Sequence, residues 1–304
     1  MDNKSLKYKM LLSAFRVLPV KKLMAGSPEK TQKLFRKAYK GADIPTMSDP
    51  ALLILQKEVA GSKVLYARHK RKADRVGIYL VGGGMLKYPK PGQAKEIAKL
   101  ARECDMDMLL PYYPILFTGA TLPDAYQMVY ELYKETLKDY EPENICLMGG
   151  SSGGNLALGL VSYINARGEG LPKPGRIYAG SPGTLLLKDE ERRLAQKQEK
   201  TDVIMSLPAL ENIWEGMTGG KEVPEYMKYL QLGDYTGLRD VYLSFGGDEL
   251  FLAGADSIRK RLEEYGVHVT VEIGVGLYHS YAMLPLVKEA EKGYQNFVEY
   301  ISGK

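Results

Sequence analysis

The stretch that most constrains this chain is Cys146-Leu-Met-Gly-Gly-Ser-Ser-Gly-Gly-Asn155. It contains Gly149-x-Ser151-x-Gly153, the pattern of a sharp strand-to-helix turn with a serine at its apex. A serine hydroxyl is a weak nucleophile unless it is held out of the sheet beside a base. Small residues two before and two after it let the strand and the following helix approach closely enough to turn. The flanks agree with this reading. Asn144–Met148 is a short apolar run of strand type, and Asn155–Ile164 reads as a buried helix. The alternative is a glycine-rich turn with a bystander serine, and the pattern alone does not decide between the two.

With 304 residues the chain has room for one large α/β domain with a decorated edge, or for two small domains. A hydrophobic share of 45% and a charged share of 26% are those of an ordinary globular protein. The net charge of +5 is modest and does not argue for nucleic acid. The densest basic run, His69-Lys-Arg-Lys72, lies between strand-like runs at Lys63–Ala67 and Arg75–Leu80. It reads as a solvated hairpin turn rather than a phosphate-binding patch. The two cysteines, Cys104 and Cys146, suggest neither a disulfide framework nor a zinc site, which fits a cytoplasmic location. Lys4, Lys7 and Lys9 precede Met10–Phe15 as in a signal peptide, but Arg16, Pro19, Lys21 and Lys22 argue against one. No apolar run approaches the roughly 20 residues of a membrane span.

Residues 1–50 read as helical and amphipathic, with Leu6, Met10, Leu11, Phe15 and Leu18 sharing a face and a second short helix over Gln32–Tyr39. Next, Lys63–Ala67 and Arg75–Val81 read as an antiparallel pair. Helices over Gln93–Glu103, Leu122–Lys138, Ala253–Glu264 and Leu284–Ile301 then alternate with strands over Met106–Pro111, Arg176–Ala179, Asp240–Phe245 and Val267–Ile273. Such alternation predicts an α/β fold with a largely parallel sheet covered on both faces. From about 187 to 238 no strand is recognisable, and the segment is too long for a plain loop. A helical insertion above the C-terminal edge of the sheet is expected there, with Leu207–Gly216 carrying the only tryptophan, Trp214.

A serine nucleophile needs a base, and the base needs an orienting acid. Of three histidines, His69 lies in the basic turn and His268 inside a strand. His279 stands in a glycine-loosened loop after the last strand. The acid should follow a strand between Ser151 and His279. Asp248, after the strand ending at Phe245, is the choice, with Glu249 as competitor. The order Ser151, Asp248, His279 is the chain order of α/β-hydrolases. The oxyanion of the transition state needs backbone donors. Gly82-Gly-Gly84 follows an early strand, so the amides of Gly83, Gly84 and Ser152 are the expected donors. A dinucleotide fingerprint fails because Lys87 stands where its third glycine is required, and no phosphate-loop motif occurs.

Together these segments resemble the hormone-sensitive-lipase-like family of α/β-hydrolase esterases. The matching residues are Val81-Gly-Gly-Gly84, Gly149-Gly-Ser-Ser-Gly-Gly-Asn-Leu156, Asp248-Glu-Leu250 and His279, with secondary matches at Leu122-Pro-Asp-Ala125 and Ser181-Pro182. The resemblance runs from about residue 60 to the C-terminus. It implies a hydrolase body over 51–304, with residues 1–50 and the insertion at about 187–238 forming a helical cap. It also implies a serine carboxylesterase for small ester substrates, short-acyl or acetyl, that needs no metal or organic cofactor. Two departures stand out. Val81 replaces the family's histidine and removes its bracing hydrogen bonds, and Gly150 replaces the aspartate before the nucleophile. A peptidase or amidase on the same fold, and a homologue that binds a small ligand without turnover, are the rival expectations. A homodimer is compatible with the resemblance, but no interface signal is visible.

Overall fold

The computed structural model describes residues 4–17, 21, 25–27, 29, 30, 33, 36, 41 and 43–303. The expected helix over Gln32–Tyr39 lies almost wholly outside them. The first helix, α1, spans Leu6–Val17. Its inward face differs from the expected one. Tyr8 is fully buried while Leu6 and Met10 are 75% and 64% exposed. Tyr8, Leu11, Leu12 and Phe15 are the inward set, at helical spacing. The Tyr8 hydroxyl donates to the Gly276 carbonyl at 2.6 Å, which fastens α1 beside the last strand.

One eight-stranded sheet organises the rest. Its strands are β1 Leu52–Val59, β2 Ser62–His69, β3 Val76–Leu80, β4 Asp107–Pro111, β5 Ile145–Gly150, β6 Arg176–Gly180, β7 Asp240–Gly246 and β8 His268–Gly274. Their spatial order is β1-β2-β4-β3-β5-β6-β7-β8. The pairs β1–β2 and β2–β4 are antiparallel and the remaining pairs parallel. The expected pairing of the runs at 63–67 and 75–81 is therefore corrected. They run in opposite directions, but β4 lies between them, and the hairpin is instead β1–β2, turning at Ala60 and Gly61. β1 went unrecognised in the sequence because most of its side chains face solvent.

The long helices are α2 Pro91–Cys104, α3 Leu122–Thr136, α4 Ser152–Arg167, α5 Asp189–Gln198, α6 Leu207–Thr218, a short α7 Glu225–Lys228, α8 Ala255–Glu264 and α9 Glu291–Ser302. Central strands alternate between two cores. Ile78, Leu147, Ile177 and Ala179 join the core that contains α3, α4 and α8, while Tyr79, Cys146, Met148 and Tyr178 join the one with α2 and α9. Both cysteines are buried, and burial pushes the Cys146 thiol up to about 12. The last helix starts at Glu291, later than expected. Pro285 disfavours a helical conformation at Leu284, and the chain from 284 to 287 is irregular. Between β6 and β7 the chain is helical, with no strand among the described residues.

The basic turn has a structural anchor. Fully buried Asp107 accepts hydrogen bonds from the His69 N–H at 2.8 Å and the Tyr140 hydroxyl at 2.6 Å, with Arg68 Nε at 3.4 Å. Removing a carboxylate that satisfies several buried donors is costly. Asp107→Ala should therefore lower stability by about 2–4 kcal/mol, read as a lower urea midpoint with an unchanged slope.

Candidate active site

Adjacent parallel strands bring the motifs together. Leu80 of β3 pairs with Gly149 of β5, so the Gly82–Gly84 loop leaves the sheet beside Ser151. Ser151 has φ 55° and ψ −124°, a conformation sparsely populated by L-residues and costing about 1–3 kcal/mol. Its N–H donates to the Gly180 carbonyl at 2.9 Å, and its carbonyl accepts from Asn155 and Gly183 at 3.0 and 2.9 Å. The small flanking residues are sterically required. A Cβ on Gly149 would lie 2.4 Å from the Gly153 carbonyl carbon, and one on Gly153 would lie 1.9 Å from the Leu80 carbonyl oxygen.

His279 lies in the loop after β8, almost fully buried. Its Nδ1 is 2.5 Å from Glu249 Oε2. This corrects the expected acid. Asp248 sits nearer the surface, 3.5 Å from Lys4 Nζ, whereas Glu249 is completely buried. The turn at Gly246 and Gly247 sends Asp248 toward α1 and the following residue inward. Glu249 Oε1 accepts from the Gly246 N–H and the Ser181 hydroxyl, both at 2.7 Å. Ser181 Oγ in turn accepts the Ser280 N–H at 2.9 Å, which ties the histidine loop to the same carboxylate. Ser181 was visible in the sequence only as half of a secondary motif, with no hint of this link.

A carboxylate can only accept, so the proton of this bond sits on Nδ1 and leaves Nε2 with its lone pair. Nε2 is buried and has no hydrogen-bond partner among the described residues. Burial would lower the pKa of His279. The charge and hydrogen bond of Glu249, with the charge of Asp202 farther off, more than reverse that and hold it above the usual value. Asp202 belongs to the chain between β6 and β7. Its carboxylate accepts from the N–H groups of Ile204, Met205 and Leu250 at 2.7, 2.8 and 2.7 Å. It thereby joins that insertion to the residue after Glu249.

Of the three expected oxyanion donors, Gly84 is already engaged. Its N–H donates to Ser152 Oγ at 3.0 Å. Ser152 opens α4, where a backbone N–H has no carbonyl one turn back to bind. Gly83 lies in the same loop and lines the cavity. The loop's other end is held too, because the Tyr113 hydroxyl donates to the Val81 carbonyl. Val81 cannot brace the loop with its side chain, and the Ser152 and Tyr113 hydroxyls hold both ends of it.

Ser151, His279 and the Gly82–Gly84 loop share one cavity of about 400 Å³. Its far wall is apolar, with Met205, Leu210, Ile213, Trp214 and Met217 from the insertion and Phe251 after β7. Phe251 also packs on the His279 ring, centroid to centroid 5.0 Å. No three histidine, cysteine or acidic side chains among the described residues cluster to hold a metal ion.

A family model described as an alpha/beta hydrolase fold matches residues 78–283. Esterase LipU of Mycobacterium tuberculosis is 30% identical over 257 residues, covering 80% of this chain and 82% of its own length. An esterase of Acinetobacter venetianus is 23% identical over 237 residues, 77% of either chain. Among solved structures, an esterase from the bacterial hormone-sensitive lipase family superposes with a TM-score of 0.79 at 19% identity, covering 99% of this chain and 98% of that one. An esterase/lipase from an uncultured bacterium gives 0.78 at 18% identity, covering 99% and 100%. At such identities these two superpositions speak for the fold.

The two neighbouring carboxylates are separable by titration. In Glu249→Gln the His279 pKa should fall below its wild-type value, because burial remains and the raising charge is gone. In Asp248→Asn it should stay. An NMR titration of the imidazole resonances checks both.

Proposed function

Because this chain belongs to the hormone-sensitive-lipase-like family of α/β-hydrolases, we propose that it is a serine carboxylesterase acting on small esters. The observation that carries this reading is the His279 ring. It is buried, oriented by Glu249 through Nδ1, has an unpartnered Nε2, and belongs to a residue that lines the same cavity as Ser151. An unsatisfied buried nitrogen calls for an explanation, and a general base awaiting a proton is one.

In this mechanism Ser151 Oγ attacks the ester carbonyl as His279 Nε2 takes its proton. Glu249 holds the tautomer and stabilises the imidazolium. The developing oxyanion is received by the N–H groups of Gly83 and Ser152. Gly84 contributes by holding the loop through Ser152 Oγ. Collapse expels the alcohol, which takes the proton from His279, and a water activated by the same nitrogen then hydrolyses the acyl-serine. The chemistry needs no cofactor. Residues 1–50 and about 187–238 serve as the cap of a body spanning 51–304, and the insertion side chains on the cavity wall support this for the second segment. A 400 Å³ cavity with an apolar wall suits short acyl chains, acetyl included.

The test is hydrolysis of 4-nitrophenyl esters of increasing acyl length, with a peptide nitroanilide alongside. Wild type should turn over short esters, and Ser151→Ala should lower kcat by roughly 10⁴- to 10⁶-fold. Glu249→Gln should lower it by about 10³- to 10⁴-fold, and Asp248→Asn by far less. Ester hydrolysis that survives Ser151→Ala would remove the nucleophile from this reading, and preferential anilide cleavage would make the enzyme an amidase.

Wild-type kcat/KM should rise with pH on an acidic limb whose midpoint lies above the ordinary histidine pKa of about 6.5, since only neutral His279 accepts a proton. The residual activity of Glu249→Gln should have its limb at lower pH.

A further inference from the structure

Among the described residues, the cavity lining carries one strongly basic side chain and no carboxylate to pair with it. Lys87 lines the cavity together with Ser151 and His279, and no described aspartate or glutamate contributes to the lining. Its stem lies across Gly83, with Cε 2.5 Å from the point that a Gly83 Cβ would occupy. Among the described residues, no hydrogen bond or ion pair engages the ammonium group. The undescribed residues offer no carboxylate side chain except Asp2. Lys87 is an exposed residue, and desolvation and then the charge of Lys90 lower its pKa. An ammonium so placed gains most from an anion that arrives with the ligand.

A second donor lines the same cavity. Gln93 lines the cavity, and its Oε1 is fixed as acceptor of the Lys90 N–H at 2.8 Å. That bond leaves the Nε2 hydrogens of Gln93 as donors, and no other described residue takes them up. One cation and one amide donor match the two oxygens of a carboxylate.

We propose that the cavity selects esters carrying a free carboxylate, bound by Lys87 with Gln93, so that Lys87 is a specificity-determining residue. The proposal rests on the esterase reading for turnover but not for binding. The reaction is ordinary ester hydrolysis. The carboxylate takes no part in bond making, and the products are an alcohol and an acid with the remote carboxylate intact.

Binding and turnover are tested separately. In Ser151→Ala, which cannot form the acyl-serine, emission of the sole tryptophan, Trp214 on the cavity wall, reports ligand entry. Monomethyl adipate should bind more tightly than dimethyl adipate. Adding Lys87→Met should reduce that preference roughly 10- to 100-fold, and Lys87→Arg should retain most of it. For turnover, the ratio of kcat/KM for mono-4-nitrophenyl adipate to that for 4-nitrophenyl hexanoate should fall by a similar factor in Lys87→Met. Taking the ratio within each protein cancels any general loss of activity. No preference for the monoanion in the Lys87 protein, or one unaltered in Lys87→Met, overturns the proposal. A binding preference without hydrolysis of either ester would leave it standing and remove the esterase reading instead.

Discussion

A carboxylate without solvent contact holds the site together. Glu249 joins the ends of three neighbouring parallel strands. It accepts from Gly246 at the end of β7, from Ser181 just past β6, and pairs with His279 in the loop after β8. A buried ionised carboxylate is tolerable only with its lone pairs engaged. The three loops are thus held in one arrangement by the cost of any other. Ser280, tied back to Ser181, and Leu250, tied to Asp202, extend the constraint into the histidine loop and the helical insertion. Positioning of the His279 ring is a property of this whole network more than of a single pair.

The serine is positioned by a different force. Its backbone sits in an unfavourable conformation that hydrogen bonds to Gly180, Gly183 and Asn155 over-determine. α4 approaches the ends of β5 and β3 so closely that no room is left for a methyl group at Gly149 or Gly153. Steric exclusion fixes Ser151, and electrostatic satisfaction fixes the His279 ring. The sheet brings the two together because β3, β5, β6, β7 and β8 all present their C-terminal ends at the same edge.

This division explains what could be read in the sequence. The elbow was legible because its requirement is local: glycines at fixed offsets around a serine. His279 was legible by elimination, being the one histidine in a loop after the last strand. The choice between Asp248 and Glu249 was not. Both follow β7, and the direction of each side chain depends on the turn at Gly246 and Gly247 and on partners from other strands. Asp248 matched the family spacing, yet its nearest charge is Lys4. The engagement of Gly84 by Ser152 is equally non-local, joining two loops 68 positions apart. Strand neighbours failed for the same reason. Residues 63–67 and 75–81 are adjacent in sequence, but the intervening β4 comes from residues 107–111.

Cys146 lies five positions before Ser151, on the strand that leads into it. A thiolate is intrinsically a far better nucleophile than a serine hydroxyl, so β5 carries a potential competitor for electrophiles and oxidants. Burial disarms it. With its pKa at about 12, the thiol is almost wholly protonated at neutral pH and lies inside the α2–α9 core. The neighbouring turn, by contrast, lifts Ser151 to the cavity wall. Two potential nucleophiles five positions apart are thus sorted by depth alone. The intrinsically stronger is hidden behind the sheet, and the weaker is presented where protein groups can activate it.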